Sequence, residues 1–187
     1  METDRTKWNV RHGERMGHHP PDAYMVRFVQ QLSAPVALDV ACGRGRNSFF
    51  LAENGFQVTA IDISDTGLSI LSQEAKSRNL AIKTIEADLD LIPESLAGCR
   101  FNTIIIINYR PATLLLHKLP GLLQPDGTLL WCSFNEKQSQ ISGFPPGLAL
   151  HPEEFTHFFD GLELIDYSRF AEESGERDGY FFRKPLC

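Results

Sequence analysis

The chain has 187 residues, of which 42% are hydrophobic and 22% charged, and its formal net charge at pH 7 is −6. A chain of this length buries one core, so we predict a single domain over residues 1–187 with an N-terminal segment at residues 1–21. The negative charge argues against duplex nucleic acid as a partner, because that binding depends on clustered Lys and Arg.

The four cysteines have no CxxC spacing, and no signal peptide precedes them; they are Cys42, Cys99, Cys132 and Cys187. This usage predicts a reduced, cytoplasmic setting. The longest apolar run, residues 101–107, is far shorter than the ~20 residues that cross a bilayer, and we predict no membrane segment. We therefore expect neither a membrane nor a nucleic acid as partner, and either a monomer or a homodimer.

The first structural signal is a strand, a turn and a helix over residues 36–52. Residues 36–41 are apolar apart from Asp39, as in a strand buried on both faces of a parallel sheet. Gly43 and Gly45 permit positive φ and let a ligand approach the main chain. From Asn47 the residues favour a helix, whose first N–H groups form an electropositive cradle. This turn is predicted to bind a ligand.

Two cofactor classes use such a turn. A dinucleotide site has a third glycine for close packing of helix and strand, and here Asn47 stands in its place. A carboxylate such as Asp39 near the turn would repel a pyrophosphate and favour a cationic amino group. Asp62 ends the next strand, residues 57–61, near the ~20-residue spacing of an acid that binds ribose hydroxyls. The pattern favours a nucleoside without a diphosphate; a nicotinamide-type domain is the alternative.

A third acid, Asp88, follows a predicted strand at residues 81–87. Ligands of doubly wound sheets lie outside the carboxyl ends of the strands. We therefore expect Asp39, Asp62 and Asp88 to converge on one crevice, with Asp88 and the Leu89 main chain beside an adenine amino group. The alternative for Asp88 alone is a surface turn.

The order of these residues resembles a class I S-adenosylmethionine-dependent methyltransferase. The run Cys42-Gly43-Arg44-Gly45-Arg46-Asn47-Ser48, with Asn54-Gly55-Phe56, is more narrowly similar to the small tellurite-resistance type. Trp8, Asp88, Gln124-Pro125-Asp126-Gly127 and Arg183-Lys184-Pro185 extend the resemblance along the chain. It implies an α/β, three-layer, Rossmann-like fold with a seven-stranded, mostly parallel sheet whose last strand is antiparallel, and S-adenosyl-L-methionine as cofactor.

The resemblance also implies roles for particular residues. Residues 7–12 resemble the Trp-x-x-Arg-Tyr opening of the family, which folds over the cofactor as a lid, with His12 where Tyr is usual. The expected cofactor-binding residues are Trp8, Arg11, Asp39, Gly43, Arg44, Gly45, Asn47, Asp62, Ile63, Asp88, Leu89 and Asn108.

The stretch Asn108-Tyr109-Arg110-Pro111 follows the predicted central strand, residues 101–107, and should face the transferred methyl group. Methyltransferases acting on amino groups often have Pro-Pro and an aromatic here, so methylation of DNA or protein amide nitrogen is disfavoured. Arg110 stays protonated at neutral pH and is suited to bind an anionic substrate bidentately; the alternative is an arginine that extends into solvent.

The remaining segments predict the scaffold. We expect an irregular terminus before Pro21, a helix capped by Asp22, and a helix from Ser64 to about Asn79. Downstream we expect a helix at residues 112–119, a strand at 128–134 and a binding loop at 135–150. The last predicted elements are a helix from His151, strands at 162–170 and 179–183, and a loop at 171–178 between those strands. In the tellurite type this last turn is longer, and a metalloid substrate is therefore not expected.

The resulting prediction is an enzyme that transfers a methyl group from S-adenosylmethionine to a small molecule by in-line displacement. The catalytic residues are not identified; Tyr109, Arg110 and His12 are candidates, and His151 is a further candidate base. A catalytically silent S-adenosylmethionine-binding protein or partner subunit is the alternative. His12, His18 and His19 lack the spacing of a metal site, so no metal is expected.

Overall fold

The computed structural model describes residues 2–14, 17, 19–91 and 93–186. The helices are α1 (Glu2–Glu14), α2 (Ala23–Phe28), α3 (Arg46–Glu53), α4 (Asp65–Ser77), α5 (Thr113–Leu116), α6 (Leu119–Leu122) and α7 (Glu136–Ser142), and short 3-10 helices cover Val29–Gln31, Glu94–Leu96 and Pro146–Leu148. The strands are β1 (Val36–Val40), β2 (Gln57–Asp62), β3 (Ile82–Glu86), β4 (Phe101–Ile107), β5 (Leu123–Phe134), β6 (Glu163–Glu172) and β7 (Gly175–Arg183).

The strands form one seven-stranded sheet in the order β3-β2-β1-β4-β5-β7-β6. β7 is antiparallel to both of its neighbours, and the other pairs are parallel. The prediction of a mostly parallel sheet with an antiparallel last strand is confirmed. A dinucleotide-binding sheet has the order 3-2-1-4-5-6, whereas here β7 is inserted between β5 and β6.

Alternate residues of the central strands pack on opposite faces of the sheet, as the period of a strand requires. On one face, Ile105 and Leu130 join a cluster with Met25, Phe49 and Leu71 from α2, α3 and α4. On the other face, Ile104, Ile106 and Trp131 pack with α5, α6 and the phenylalanines at 155 and 159. The result is three layers, as predicted.

Local signals placed the first half of the domain correctly. Asp22 caps α2 by accepting a hydrogen bond from the N–H of Tyr24, and Ser64 caps α4 by accepting one from the N–H of Gly67. β4 occupies residues 101–107, as predicted. The N-terminal segment was predicted to be irregular, but it contains the 13-residue helix α1.

The second half differs from its prediction in several places. Residues 152–158 form consecutive turns and not a helix, and Glu153 has a positive φ of 56°. The expected helix at 112–119 is two four-residue helices, α5 and α6. The expected loop at 135–150 contains α7. The expected loop at 171–178 is mostly strand, because β6 and β7 pair up to Glu172 and Gly175.

β5 also begins earlier than predicted. It starts at Leu123, and its pairing with β4 is irregular where the predicted turn at 124–127 lies. Within the residues that the structure describes, no helix has the length and apolar content needed to cross a membrane.

Candidate cofactor and acceptor site

The turn after β1 is formed by residues in left-handed backbone conformations. Gly43 has φ 57° and Gly45 has φ 81°, and the N–H of Gly45 donates to the carbonyl of Cys42 at 2.9 Å. A Cβ on Gly45 would lie 2.2 Å from Cδ1 of Leu71, so glycine is also needed there for the approach of α4. The turn places the backbone of Gly43 next to the end of β2.

Asp62 lies at the centre of this arrangement. Its Oδ2 accepts the N–H of Gly43 at 2.8 Å, and its Oδ1 accepts the N–H of Ser64 at 2.8 Å. These two bonds fix the carboxylate between the glycine turn and the start of α4. A carboxylate has about four lone-pair sites, so Asp62 retains capacity for two further hydroxyl donors such as a ribose diol.

The other two predicted acids have different environments. Asp39 is 1% exposed, and its Oδ2 accepts a hydrogen bond from the Ser48 hydroxyl at 2.6 Å. Burial raises the pKa of Asp39 to about 7, with the Ser48 bond acting in the opposite direction. Asp88 is half-buried and accepts the N–H of Asp90 at 3.0 Å. Asp39 thus lies beneath the turn, whereas Asp88 remains accessible.

Tyr109 joins the crevice from the end of β4. Burial raises its pKa most strongly, and the carboxylates of Asp90, Asp88 and Asp62 raise it further. Tyr109 lies just after β4 and is half-buried, and Asp62 and Asp88 lie at or just after the ends of β2 and β3. Ile63 is half-buried between Asp62 and α4, and Leu89 is buried next to Asp88.

Helix α1 lies across this crevice. The Ser64 hydroxyl donates to Oδ1 of Asn9 at 2.7 Å, and Arg5 pairs with Glu86 at the end of β3 at 2.6 Å. His12 is 7% exposed, and its ring lies 3.0 Å from where a Cβ on Gly43 would be. Asp62 is only 7% exposed beneath this helix.

Of the residues predicted in α1, His12 makes the contact with the glycine turn. Trp8 stacks on His12 with ring centroids 5.8 Å apart, and the Arg11 guanidinium lies 5.1 Å from the Trp8 ring centre. Gly67 was missed by sequence reasoning, although a glycine inside a helix is a signal of close approach. A Cβ there would lie 3.0 Å from the Gly43 carbonyl oxygen and 3.2 Å from the His12 ring.

Two other predicted residues, Asn47 and Arg110, form hydrogen bonds with other parts of the protein. Asn47 is 6% exposed, and its Oδ1 accepts the N–H of Asp22. Arg44 is half-buried within the turn. Arg110 pairs bidentately with Glu154, at 2.9 and 2.5 Å, and donates to the carbonyl of Ala149. These contacts hold the guanidinium of Arg110 against Glu154 and Ala149. They do not direct it into solvent or toward the crevice.

Asn108 connects the crevice to a buried ion cluster. It has φ 57°, is exposed, and its Oδ1 accepts a hydrogen bond from Nη2 of Arg177 at 2.8 Å. Arg177 is 1% exposed and pairs through Nη1 with Asp22 at 2.6 Å and Glu172 at 3.2 Å. Arg177 was only weakly indicated by sequence, because its segment was predicted to be a loop.

A cavity of about 260 Å³ lies beyond the end of β5, lined by Glu136, Ser139, Gln140, Pro146 and His151. A shallower concavity of about 450 Å³ lies on the outer side of α4. Among the described residues, no three His, Cys, Asp or Glu side chains are grouped as a metal site would require. His18, one of the three histidines for which no metal was expected, lies outside the described residues.

The fold and the glycine turn match those of known methyltransferases. Residues 37–127 match the methyltransferase domain family. The ubiquinone biosynthesis O-methyltransferase of Actinobacillus pleuropneumoniae is 26% identical over 174 residues, covering 85% of this chain and 74% of that protein. These matches, together with the fold, support the assignment of this chain to the class I S-adenosylmethionine-dependent methyltransferases.

Two solved structures show the same fold as this methyltransferase. TehB from Haemophilus influenzae superposes with a TM-score of 0.70 at 18% identity, covering 86% of this chain and 61% of TehB. The CcbJ methyltransferase from Streptomyces caelestis superposes with a TM-score of 0.71 at 18% identity, covering 95% of this chain and 96% of CcbJ. The enzyme spans about three fifths of the TehB chain.

Proposed function

We propose that this methyltransferase transfers a methyl group from S-adenosylmethionine to a small molecule by in-line displacement. The observation that carries the proposal is the fixed Asp62 carboxylate, held by the N–H groups of Gly43 and Ser64 at 2.8 Å each. When bound, the cofactor supplies a methyl group already activated on a sulfonium. The protein then has to bind the cofactor and the acceptor, orient them for transfer, and exclude water.

The residues present fit this cofactor. Asp62 has lone pairs for a ribose diol, and Asp88 with the Leu89 main chain would hold the adenine end. Gly43 has no side chain of its own, and the His12 ring lies 3.0 Å from where its Cβ would be, so His12 covers the turn while α1 is closed and the bare backbone is open to close approach once α1 moves. We assign Ile63, Arg44, Asn47 and Asp39 to the walls and floor of this binding region.

Helix α1 serves as the lid in this proposal. Its contacts through Asn9, Arg5 and His12 reach the ends of β1, β2 and β3. Because Asp62 is buried under α1, a nucleoside reaches the carboxylate only when the helix moves. With α1 closed, Trp8, Arg11 and His12 would exclude water from the methionine end of the site.

In this proposal the acceptor enters over the ends of β4 and β5: Asn108 and Tyr109 come just after β4, and the 260 Å³ cavity lined by Glu136, Ser139 and His151 lies beyond β5. That volume is slightly below the range of drug-sized sites and suits a small molecule. The ubiquinone biosynthesis relative carries O-methyltransferase in its name, which supports an oxygen acceptor for this chain.

The test is ligand-dependent thermal stabilisation of the whole chain. S-adenosylhomocysteine at 100 times its Kd should stabilise the fold by about 2.7 kcal/mol, whereas NAD at the same concentration should leave it unchanged. Stabilisation by NAD alone would establish the nicotinamide reading. Stabilisation by S-adenosylhomocysteine without methyl transfer to any member of a phenol, thiol and amine panel would favour the catalytically silent alternative.

A further inference from the structure

The orientation of the Asn108 side chain is determined by its neighbour. An arginine guanidinium carries five donors and no acceptor. The atom of Asn108 that lies 2.8 Å from Nη2 of Arg177 must therefore be the amide oxygen. The other end of the carboxamide, Nδ2 with its two hydrogens, is the end that does not bond to Arg177, and Asn108 is an exposed residue.

Both partners of this hydrogen bond are held in place independently. The N–H of Asn108 donates to the carbonyl of Cys132 at 2.8 Å, and its left-handed φ of 57° fixes the direction of its side chain. Arg177 is held by Asp22 and Glu172, and Asp22 in turn pairs with Arg46 at 3.2 Å. The guanidinium is 1% exposed, so water does not compete for it.

We propose that Arg177 is a positioning residue that turns the Asn108 carboxamide so that its N–H₂ group faces the acceptor, and that the acceptor's nucleophilic atom is an anionic oxygen. This inference rests on the proposed methyl transfer. An N–H donor stabilises an oxyanion and orients its lone pair. The same donor would repel an ammonium and offers no acceptor for the proton of an amine.

The reaction balances for such an acceptor. The hydroxyl proton is lost to solvent before the transfer. The oxyanion then forms an O–C bond to the methyl carbon, the C–S bond breaks, and its electron pair stays on sulfur. The positive charge on sulfur and the negative charge on oxygen are both lost. No base within the site is needed for the transfer itself.

The direct test uses 4-nitrophenol as a visible probe, with 4-nitroaniline as its neutral counterpart of the same shape, each added to the enzyme saturated with S-adenosylhomocysteine. The bound nitrophenol should be more ionised than free nitrophenol at the same pH. Asn108→Ala should weaken nitrophenolate binding about tenfold, the effect of one charge-assisted hydrogen bond, and leave nitroaniline binding unchanged.

A double-mutant cycle separates positioning from a general structural role. Arg177→Lys keeps a cation beside Asp22 but loses the fork that reaches Asn108, and it should weaken nitrophenolate binding in the wild-type background only. In the Asn108→Ala background it should have no further effect. Arg183→Lys, a change of the same kind at the opposite end of β7, is the matched control and should have no effect in either background.

Equal losses from Arg177→Lys in both backgrounds would overturn the proposal, as would nitrophenol that binds in its neutral form, binds no tighter than nitroaniline, or does not bind at all. Failure of the wild-type chain to bind S-adenosylhomocysteine would instead refute the proposed function on which the inference rests. The two failures are thus distinguishable in a single set of titrations.

Discussion

The two halves of this domain are held together by different interactions. The cofactor half, β1 to β3 with α3 and α4, depends on bonds over shorter separations, such as those of the Asp62 carboxylate with the N–H groups of Gly43 and Ser64, 19 and 2 residues away. The acceptor half, β4 to β7, depends on Arg177, whose partners Asp22 and Asn108 are 155 and 69 residues away. Local signals therefore specify the first half, and long-range ion pairs complete the second.

The largest effect should come from removing the cation of the acceptor half. Arg177→Met leaves the buried carboxylate of Asp22, among the described residues, with the partly exposed Arg46 as its remaining ionic partner. Breaking a buried pair in this way costs about 3–5 kcal/mol, measurable as a lower free energy of unfolding in urea. Arg183→Met, which removes an exposed pair with Asp126 at 3.6 Å, should cost less than about 1 kcal/mol. Equal losses of unfolding free energy in Arg177→Met and Arg183→Met would contradict the claim that the buried ion pairs of Arg177 stabilise the acceptor half.

The next effect concerns the cofactor half and depends on pH. Because burial raises the folded pKa of Asp39 to about 7, above the unfolded value of about 3.9, its stability contribution is present below pH 4 and is lost as pH rises through 7. The loss is on the order of 2–4 kcal/mol. Asp39→Asn does not ionise and avoids this loss. Its free energy of unfolding relative to that of wild type should therefore increase from pH 5 to pH 8.

A companion variant sharpens that measurement. Ser48→Ala deletes the hydrogen bond that favours the ionised form of Asp39. The pKa of Asp39 should then rise further, and the stability of this variant should fall more steeply with pH than that of wild type. If the free energies of unfolding of Asp39→Asn and wild type differ by the same amount at pH 5 and at pH 8, the raised pKa of Asp39 is contradicted.

The smallest effect concerns the lid. Asn9→Ala removes the hydrogen bond that joins α1 to Ser64, a loss of about 1 kcal/mol. The open state of α1 should then be more populated, and S-adenosylhomocysteine should associate about fivefold faster. Stopped-flow fluorescence of Trp8 in α1 follows this step. Thr6→Ala, which removes a hydrogen bond within α1, is the control. If S-adenosylhomocysteine associates faster with Thr6→Ala to the same degree, the Asn9 contact does not control its association.

The sequence predicted the cofactor half well for a physical reason. Gly43, Gly45 and the Ser64 cap act through backbone conformation and bonds to residues two or three positions away, and such effects are encoded locally. The strand pattern also placed Asp39, Asp62 and Asp88 at or just after the carboxyl ends of β1, β2 and β3. What the pattern could not show is that Asp39 lies beneath the turn, bonded to Ser48.

The acceptor half resisted prediction because its charged residues look like a surface loop. Residues 171–178 are mostly polar or charged, but β7 begins at Gly175, and Arg177 and Asp178 are buried there by distant partners such as Asp22 and Asn135. The helix predicted from His151 was wrong for a similar reason: Phe155 and Phe159 are buried, but the backbone that holds them forms turns. Side-chain spacing alone does not distinguish these two conformations.

The central claim is that Asp62 holds the ribose of S-adenosylmethionine. Its most direct test is calorimetric titration of S-adenosylhomocysteine into wild type and Asp62→Ala, with Asp65→Ala, an exposed neighbour at the start of α4, as control. Loss of two charge-assisted hydrogen bonds should weaken binding at least about hundredfold in Asp62→Ala, while Asp65→Ala retains the wild-type affinity. Equal affinity in a folded Asp62→Ala variant would contradict the account.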